Sequence, residues 1–208
     1  MDVDRPAPGE HLNPGEPTTP RQAASVIVLR DGSDGLEVLL LRRNPNARFM
    51  GGAWVFPGGA VDAHEGEGDL SHRIAAVREV EEEAGLRLPD PAALVKFSRW
   101  ITPPQIAIRF DTHFFLAPLP RGQEPRADGE EMVALGWHAP AGALDAHRRG
   151  ALQLVFPTIK QLEQLAGFPS ATALLEWAEG RVVVAVEPRV LMTGEAARLV
   201  LPGEPGYP

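Results

Sequence analysis

The chain has 208 residues, long enough for one domain with a sizeable core. Lys+Arg 20 against Asp+Glu 28 leaves a formal charge of −8, which argues against gripping a nucleic-acid backbone with clustered positive charge. Cys 0 removes disulfides, thiolate-bound zinc, iron–sulfur clusters and a thiol nucleophile together, and no apolar run approaches the roughly 20 residues of a membrane helix. Residues 1–22 are rich in Pro, Gly and Glu, with Leu12 as their strong aliphatic, and are expected to be a flexible tail. They carry neither an apolar signal core nor an arginine-rich amphipathic pattern, so the expected location is cytoplasmic. The ordered domain is expected over 23–208. Its first elements are SVIVL after Ala23 and LEVLLL after Gly35, read as a hairpin around a five-residue loop, Asp31–Gly35. A short strand at Trp54–Phe56 then runs into Pro57-Gly58-Gly59.

The clearest helix follows. Asp69 or Ser71 can cap it, Ile74, Val77, Val80 and Ala84 recur at helical spacing, and Gly85 stands where a C-terminal glycine belongs. LVKFSRWIT, FDTHFFLA and MVALGW predict three more strands. Helices are expected from Pro140 to about His147, over Thr158–Ala166 and over Ala171–Ala178, before VVVAV, VLM and RLVL close the chain. Strands, one strong helix, strands and then helices suggest a mixed sheet covered on both faces, an α+β arrangement.

At about 100° per residue, placing Glu79 at 0° puts Glu82 at about 300° and Glu83 at about 40°. Val80, Val77 and Ile74 fall at about 100°, 160° and 220°, so the helix is expected to bury an apolar face and present three carboxylates on the other. Hard divalent cations take oxygen ligands of that kind. On its own, such a stripe is equally a solvated face, because exposed like charges at i,i+4 cost only about 0.2–0.5 kcal/mol. The upstream glycines are the second feature, since they let backbone approach a ligand closely. Arg78 can reach back to hold a carboxylate in place.

Gly59, Glu65, Arg78, Glu79, Val80, Glu82, Glu83, Gly85 and Leu86 together resemble the Nudix hydrolase signature, G-x5-E-x7-R-E-U-x-E-E-x-G-U with U a bulky aliphatic. The departure lies between Glu65 and Arg78, where 12 residues stand instead of seven, an insertion of five read as GEGDL. Glu65 fills the signature position, with Glu67 as its alternative. The resemblance implies an α/β/α sandwich with a mixed sheet and extra C-terminal helices. It also implies Mg²⁺ or Mn²⁺ held by Glu79, Glu82, Glu83 and the carbonyl at Gly58, and hydrolysis of a small nucleotide diphosphate. A homodimer fits the family's habit, the helices after Pro140 being the only interface candidate; no nucleic-acid or membrane partner is expected. A later carboxylate, Glu130 or Glu131, is a candidate general base.

For the substrate, Leu39, Leu40, Arg43, Arg48 and Gly52 before FPGG are similar to the motif of coenzyme A-cleaving Nudix enzymes, with Leu41, Asn44 and Trp54 departing from it. Arginines there can fork onto phosphate oxygens, or simply keep a strand edge soluble. RFMGGAWVFPGGAVD, WITPP followed by RFDTHFFLA, and the FPT helix resemble the same branch, which would bring Arg109 and Phe110 to the substrate alongside Gly58 and Gly59. His64 and His72 flank the insertion and are read as exposed loop residues, with contact to metal or phosphate as the alternative. His113 is read as a residue without metal partners, and the four tryptophans as packing residues, with stacking on an adenine open to any one of them.

Overall fold

The computed structural model describes residues 11–13, 15–193 and 196–207. At its centre lies β1 (Arg21–Gly32), whose residues Ala23–Leu29 are all buried. It runs parallel to β6 (Phe110–Pro118) along one edge. Its other edge pairs antiparallel first with β4 (Gly58–Ala60) and then with β2 (Gly35–Arg43). Beyond β2 lie β3 (Trp54–Val55) and β7 (Met132–His138), both antiparallel to it. On the far side, β5 (Val95–Ile101) pairs antiparallel with β6 and parallel with β8 (Ala185–Val186). A separate hairpin, β9 (Arg189–Thr193) and β10 (Ala196–Val200), ends the fold.

Alternation along β1 separates two cores. Val26 and Val28 pack with Leu39, Leu41 and Phe115 under α1 (Asp69–Ala84). Ile27 and Leu29 pack with Val38, Leu40 and Leu116 under α2 (Pro140–Arg148), α3 (Phe156–Leu165) and α4 (Ala171–Ala178). Both faces of the mixed sheet are therefore covered, giving the α/β/α sandwich. Among the described residues no helix is long and apolar enough to cross a membrane.

Several local expectations are corrected. The first strand begins at Arg21 rather than near Ala23, and Leu12 forms a bridge to Ile106. Asn13 N–H donates to Gln105 O at 2.6 Å, so part of the expected tail lies along the loop before β6; residues 1–10 lie outside the described set. The five-residue loop shrinks to Ser33-Asp34, because Gly32 and Gly35 already face each other across the hairpin. Of VVVAV only Ala185 and Val186 pair; Val182 is 90% exposed despite its strand-forming side chain, since only β5 offers an edge there. The helix cap is Gly68 rather than Asp69 or Ser71. Asp69 is drawn instead to Arg73 (2.6 Å) and Lys96 (2.7 Å), and Ser71 donates to Gly68 O.

Candidate active site

Along β1 the side chains facing α2–α4 shrink from Leu29 and Ile27 to Ser25 and Ala23. Where they shrink, a cavity of about 540 Å³ opens, floored by Ala23, Ser25, Phe110, Thr112 and Phe114. At one end stand Gly58, Gly59, Arg78, Glu79, Glu82, Glu83, Arg43 and Glu131. The remaining wall is mostly apolar, from Phe49, Met50, Trp100, Ile108, Phe156, Pro157, Pro188 and Leu199, with Arg21, Thr102 and Thr158 among them.

The acidic helix is rotated from its expected orientation. Its buried residues are Ser71, His72, Ala75, Ala76, Val80, Glu83 and Ala84, a face centred about 40° from Glu79 rather than opposite it. Ile74, expected in the core, is 36% exposed, and Leu70 beside it is exposed too. Small alanines let α1 lie close to β1 and β4, and this turns Glu79 and Glu83 inward over the cavity. Size-weighted hydropathy chose Ile74 and Val77; close approach chose the alanines.

Two glycines accommodate the carboxylates. Gly58 N–H donates to Glu83 Oε2 at 2.8 Å. A Cβ on Gly59 would collide with the Glu79 carboxylate, and one on Gly58 with the Ala24 carbonyl of β1. Arg78 ties the turn to the helix: its Nε donates to Glu65 Oε1 (2.9 Å), and its terminal nitrogens donate to Ala60 O (3.0 Å), Glu79 (2.7 Å) and Glu82 (3.0 Å). These carboxylates raise the Arg78 pKa further, the Glu65 bond most. The insertion leaves this pairing intact, with Gly66–Gly68 and the first turns of α1 absorbing the extra residues. Glu65 is covered and bonded to Asp62 N–H as well, while Glu67 is exposed. Burial would raise the Glu65 carboxyl, but the bonds from Arg78 and Asp62 outweigh it and lower its pKa. Glu65 does not line the cavity.

Electrostatically the site is short of positive charge. Burial pushes Glu83 up to about 8; Glu79 and Glu131 add to the rise, against the Gly58 N–H and Arg43. Glu79 is also raised, chiefly by burial, with Arg78 opposing. Both lie in the last turns of α1, where the negative end of the helix dipole adds to the same potential. Among the described residues no three His, Asp or Glu side chains already form a closed metal cage. The donor set is nonetheless all oxygen, half desolvated and unfavourable when ionised, which fits a hard divalent cation.

Other expected residues divide. Arg43 lines the cavity, its Nε donating to Phe49 O at 3.3 Å. Arg48 is exposed on the neighbouring loop and does not line it. Arg109 is 8% exposed and turned away, donating to Thr102 O (3.0 Å), Thr18 O (2.6 Å) and Glu187 (2.7 Å). It staples the segment before β1 to the loop before β6 and to β8, whereas Phe110 does face the cavity. Glu131 lines the cavity and Glu130 does not. His64 is exposed, but His72 is buried on α1 and stacks on His113 with ring centroids 3.9 Å apart. Trp54 packs edge-on against His138, Trp137 lies under Arg30, and Trp177 contacts Phe168; Trp100 alone of the four lines the cavity. Phe156, which opens the FPT helix, also lines it, as does Arg21, which nothing local in the sequence marks and only strand register places.

A mixed sheet between helical layers, with a glycine turn and an inward-facing acidic helix at the end of a cleft, defines a hydrolase fold built for phosphate anhydrides. The family model for the NUDIX domain matches residues 19–155, and the chain belongs to the Nudix family of hydrolases. Human acyl-coenzyme A diphosphatase NUDT19 is 25% identical, the alignment covering 94% of this chain and 82% of that protein. The chicken acyl-coenzyme A diphosphatase NUDT19 is 24% identical over 90% of this chain and 80% of its own. In structure, a NUDIX hydrolase from Alicyclobacillus acidocaldarius superposes with a TM-score of 0.69 at 29% identity, covering 76% of this chain and 96% of that one. Nudix hydrolases use divalent metal ions and act on small nucleotide diphosphates.

Proposed function

We propose that this Nudix hydrolase cleaves the diphosphate of coenzyme A or an acyl-coenzyme A, giving 3′,5′-ADP and (acyl-)4′-phosphopantetheine. The carrying observation is the two-ended cavity. Carboxylates and arginines occupy one end, and Trp100, Ile108, Phe156 and Leu199 make an apolar wall beyond it. A nucleotide sugar would place a hydroxyl-rich group against that wall, leaving its polar atoms unpaired. A pantetheine arm and acyl chain match it. The resemblance around Arg43 and the names of the NUDT19 relatives support the same reading.

Glu79, Glu82 and Glu83, with the backbone carbonyl at Gly58, would hold Mg²⁺ or Mn²⁺. When bound, such an ion neutralises the diphosphate and makes water more acidic. The chain's own residues supply the rest. Arg78 fixes Glu79 and Glu82 relative to the glycine turn. Arg43 keeps terminal nitrogens for a phosphate oxygen. Glu131 lines the cavity with no cation bound to its carboxylate among the described residues, and it takes the proton of the attacking water. Water oxygen bonds to one phosphorus, the anhydride P–O bond breaks, and the second phosphate leaves with the electron pair.

The test is product analysis with Mg²⁺ or Mn²⁺ against coenzyme A, an acyl-coenzyme A, ADP-ribose, NADH and a nucleotide sugar, alongside Glu83→Gln. Metal-dependent release of 3′,5′-ADP that vanishes in the variant is expected. Preferential cleavage of ADP-ribose or a nucleotide sugar would overturn the substrate assignment and leave the hydrolase chemistry standing.

A further inference from the structure

The cations around the cavity are unequally engaged. Arg78 is consumed by Glu65, Glu79 and Glu82, and Arg109 is withdrawn into its contacts with Thr18, Thr102 and Glu187. Arg43 sits beside Glu83 with its Nε on Phe49 O. Arg21 lines the same cavity, and among the described residues its side chain has neither a hydrogen bond nor an ion pair. Backbone pairing fixes where it stands: Arg21 N–H donates to Arg109 O at 2.9 Å, and Arg21 is in register with Phe110 of β6.

Arg21, Ala23 and Ser25 alternate onto one face of β1, and all three line the cavity. Ser25 lies opposite Gly58, the residue whose N–H holds Glu83. Four strand residues therefore separate Arg21 from the carboxylate end, about 13 Å between backbones. That backbone separation leaves room for two anionic groups of one molecule. Beside Arg21, Phe110 and Phe49 stand with ring centroids 5.8 Å apart, both on the cavity wall. Aromatic faces next to an unengaged guanidinium provide for a base and a phosphomonoester.

We propose that Arg21 and the Phe49–Phe110 pair form a second anion subsite, which binds a phosphomonoester carried on the nucleoside half of the substrate. This deepens the coenzyme A reading and rests on it, since coenzyme A carries such a group on its ribose as the 3′-phosphate. Arg21 separates coenzyme A from diphosphates that lack that group.

Two measurements on the full chain with divalent metal test this. In the first, kcat and KM are compared for coenzyme A and dephospho-coenzyme A, which differ only by the 3′-phosphate, in wild type, Arg21→Gln and Arg21→Lys. A charge-assisted bond of this kind carries a ~10- to 100-fold effect. Arg21→Gln should lose that factor in kcat/KM for coenzyme A, through KM, with Arg21→Lys recovering part of it. Dephospho-coenzyme A should change by less than about 2-fold. In the second, calorimetry compares binding of 3′,5′-ADP and 5′-AMP, with circular dichroism confirming that each variant is folded. If wild type cleaves neither coenzyme but prefers 3′,5′-ADP through Arg21, the substrate reading falls and the subsite stands. If Arg21→Gln weakens both nucleotides equally, or neither, the subsite is overturned.

Discussion

Two clusters of buried ionisable groups lie along α1, and they are built differently. Near its start, His72 stacks on His113, Gln22 Oε1 lies 3.0 Å from His72 Nε2, and Arg99 donates twice to Asp111, at 2.8 and 2.6 Å. Each charge there has a matching partner from a neighbouring strand. Near the end of α1, Glu83 accepts one backbone N–H and shares its surroundings with Glu79 and Glu131. The first cluster pairs its charges internally, and its unmet group is a neutral one, the buried His113 Nδ1. The second leaves Glu83 short of matching positive charge, and a buried charge left short of partners is costly to the fold. Function here takes the form of an electrostatic deficit placed at the mouth of a cavity.

The largest effect expected is at the second cluster. Replacing Glu83 by Gln should lower turnover by ~10²–10⁴-fold, as expected when one essential carboxylate of such a site is removed. The same change should stabilise the metal-free protein. Glu83 titrates near 8 when folded against a reference of 4.5, so its contribution to stability is full below pH 4.5 and is lost as pH rises through 8. At pH 7.5, unfolding of metal-free Glu83→Gln should lie ~2–4 kcal/mol above wild type, the gap closing towards pH 5. Mg²⁺ should raise the wild-type Tm more than the variant's. A variant that is both inactive and less stable than wild type at pH 7.5 would mean that Glu83 is a packing residue.

The first cluster should respond in the opposite sense. Asp111→Ala leaves Arg99, itself partly exposed, without its twofold acceptor and removes a buried carboxylate that Gln22 also approaches. A loss of about 3 kcal/mol is expected, reduced from the full cost of breaking a buried pair because Arg99 can reach water. It should appear as a Tm drop of several degrees, with kcat per folded molecule close to wild type. A fall in kcat without a fall in Tm would tie this cluster to the chemistry and erase the distinction.

The contrast between the clusters is partly legible in the amino-acid sequence. Gly59 and the run Arg78 to Leu86 carry their spacing locally, because one turn, one helix and one αL glycine set their geometry. Ala171–Ala178 is equally local. What the chain order hides is rotation and register. Whether α1 turns Ile74 or Ala76 inward depends on how closely the sheet lets it approach, and Gly59 and Ala24 decide that from elsewhere in the chain. Arg109 and Arg21 are of the same residue type and lie 88 positions apart, yet parallel pairing of β1 with β6 brings them together and assigns one to the interior and the other to the cavity. His72 and His113 meet by the same pairing of distant elements, and no ligand spacing could announce a stacked pair.

That stacked pair supplies the smallest effect and a check with a definite sign. His113 is held down to about 4, first by burial and then by His72, Lys96 and Arg99, with Asp111 opposing; its reference value is 6.5. A depressed imidazole is neutral in the fold and readily protonated when unfolded, so below pH 6.5 the unfolded chain binds the extra proton. The stability His113 contributes is therefore complete above pH 6.5 and declines as pH falls towards 4, by about 3 kcal/mol. Phe at this position keeps the stacking surface against His72 and cannot titrate. The Glu83 carboxyl works in the opposite direction over the same range, so the informative quantity is the difference between wild type and His113→Phe. Urea unfolding at pH 7 and at pH 4.5 measures it, and the variant should gain on wild type as the pH is lowered. An unchanged difference would mean that His113 is charged inside the fold, and the first cluster would then hold an unmatched charge of its own.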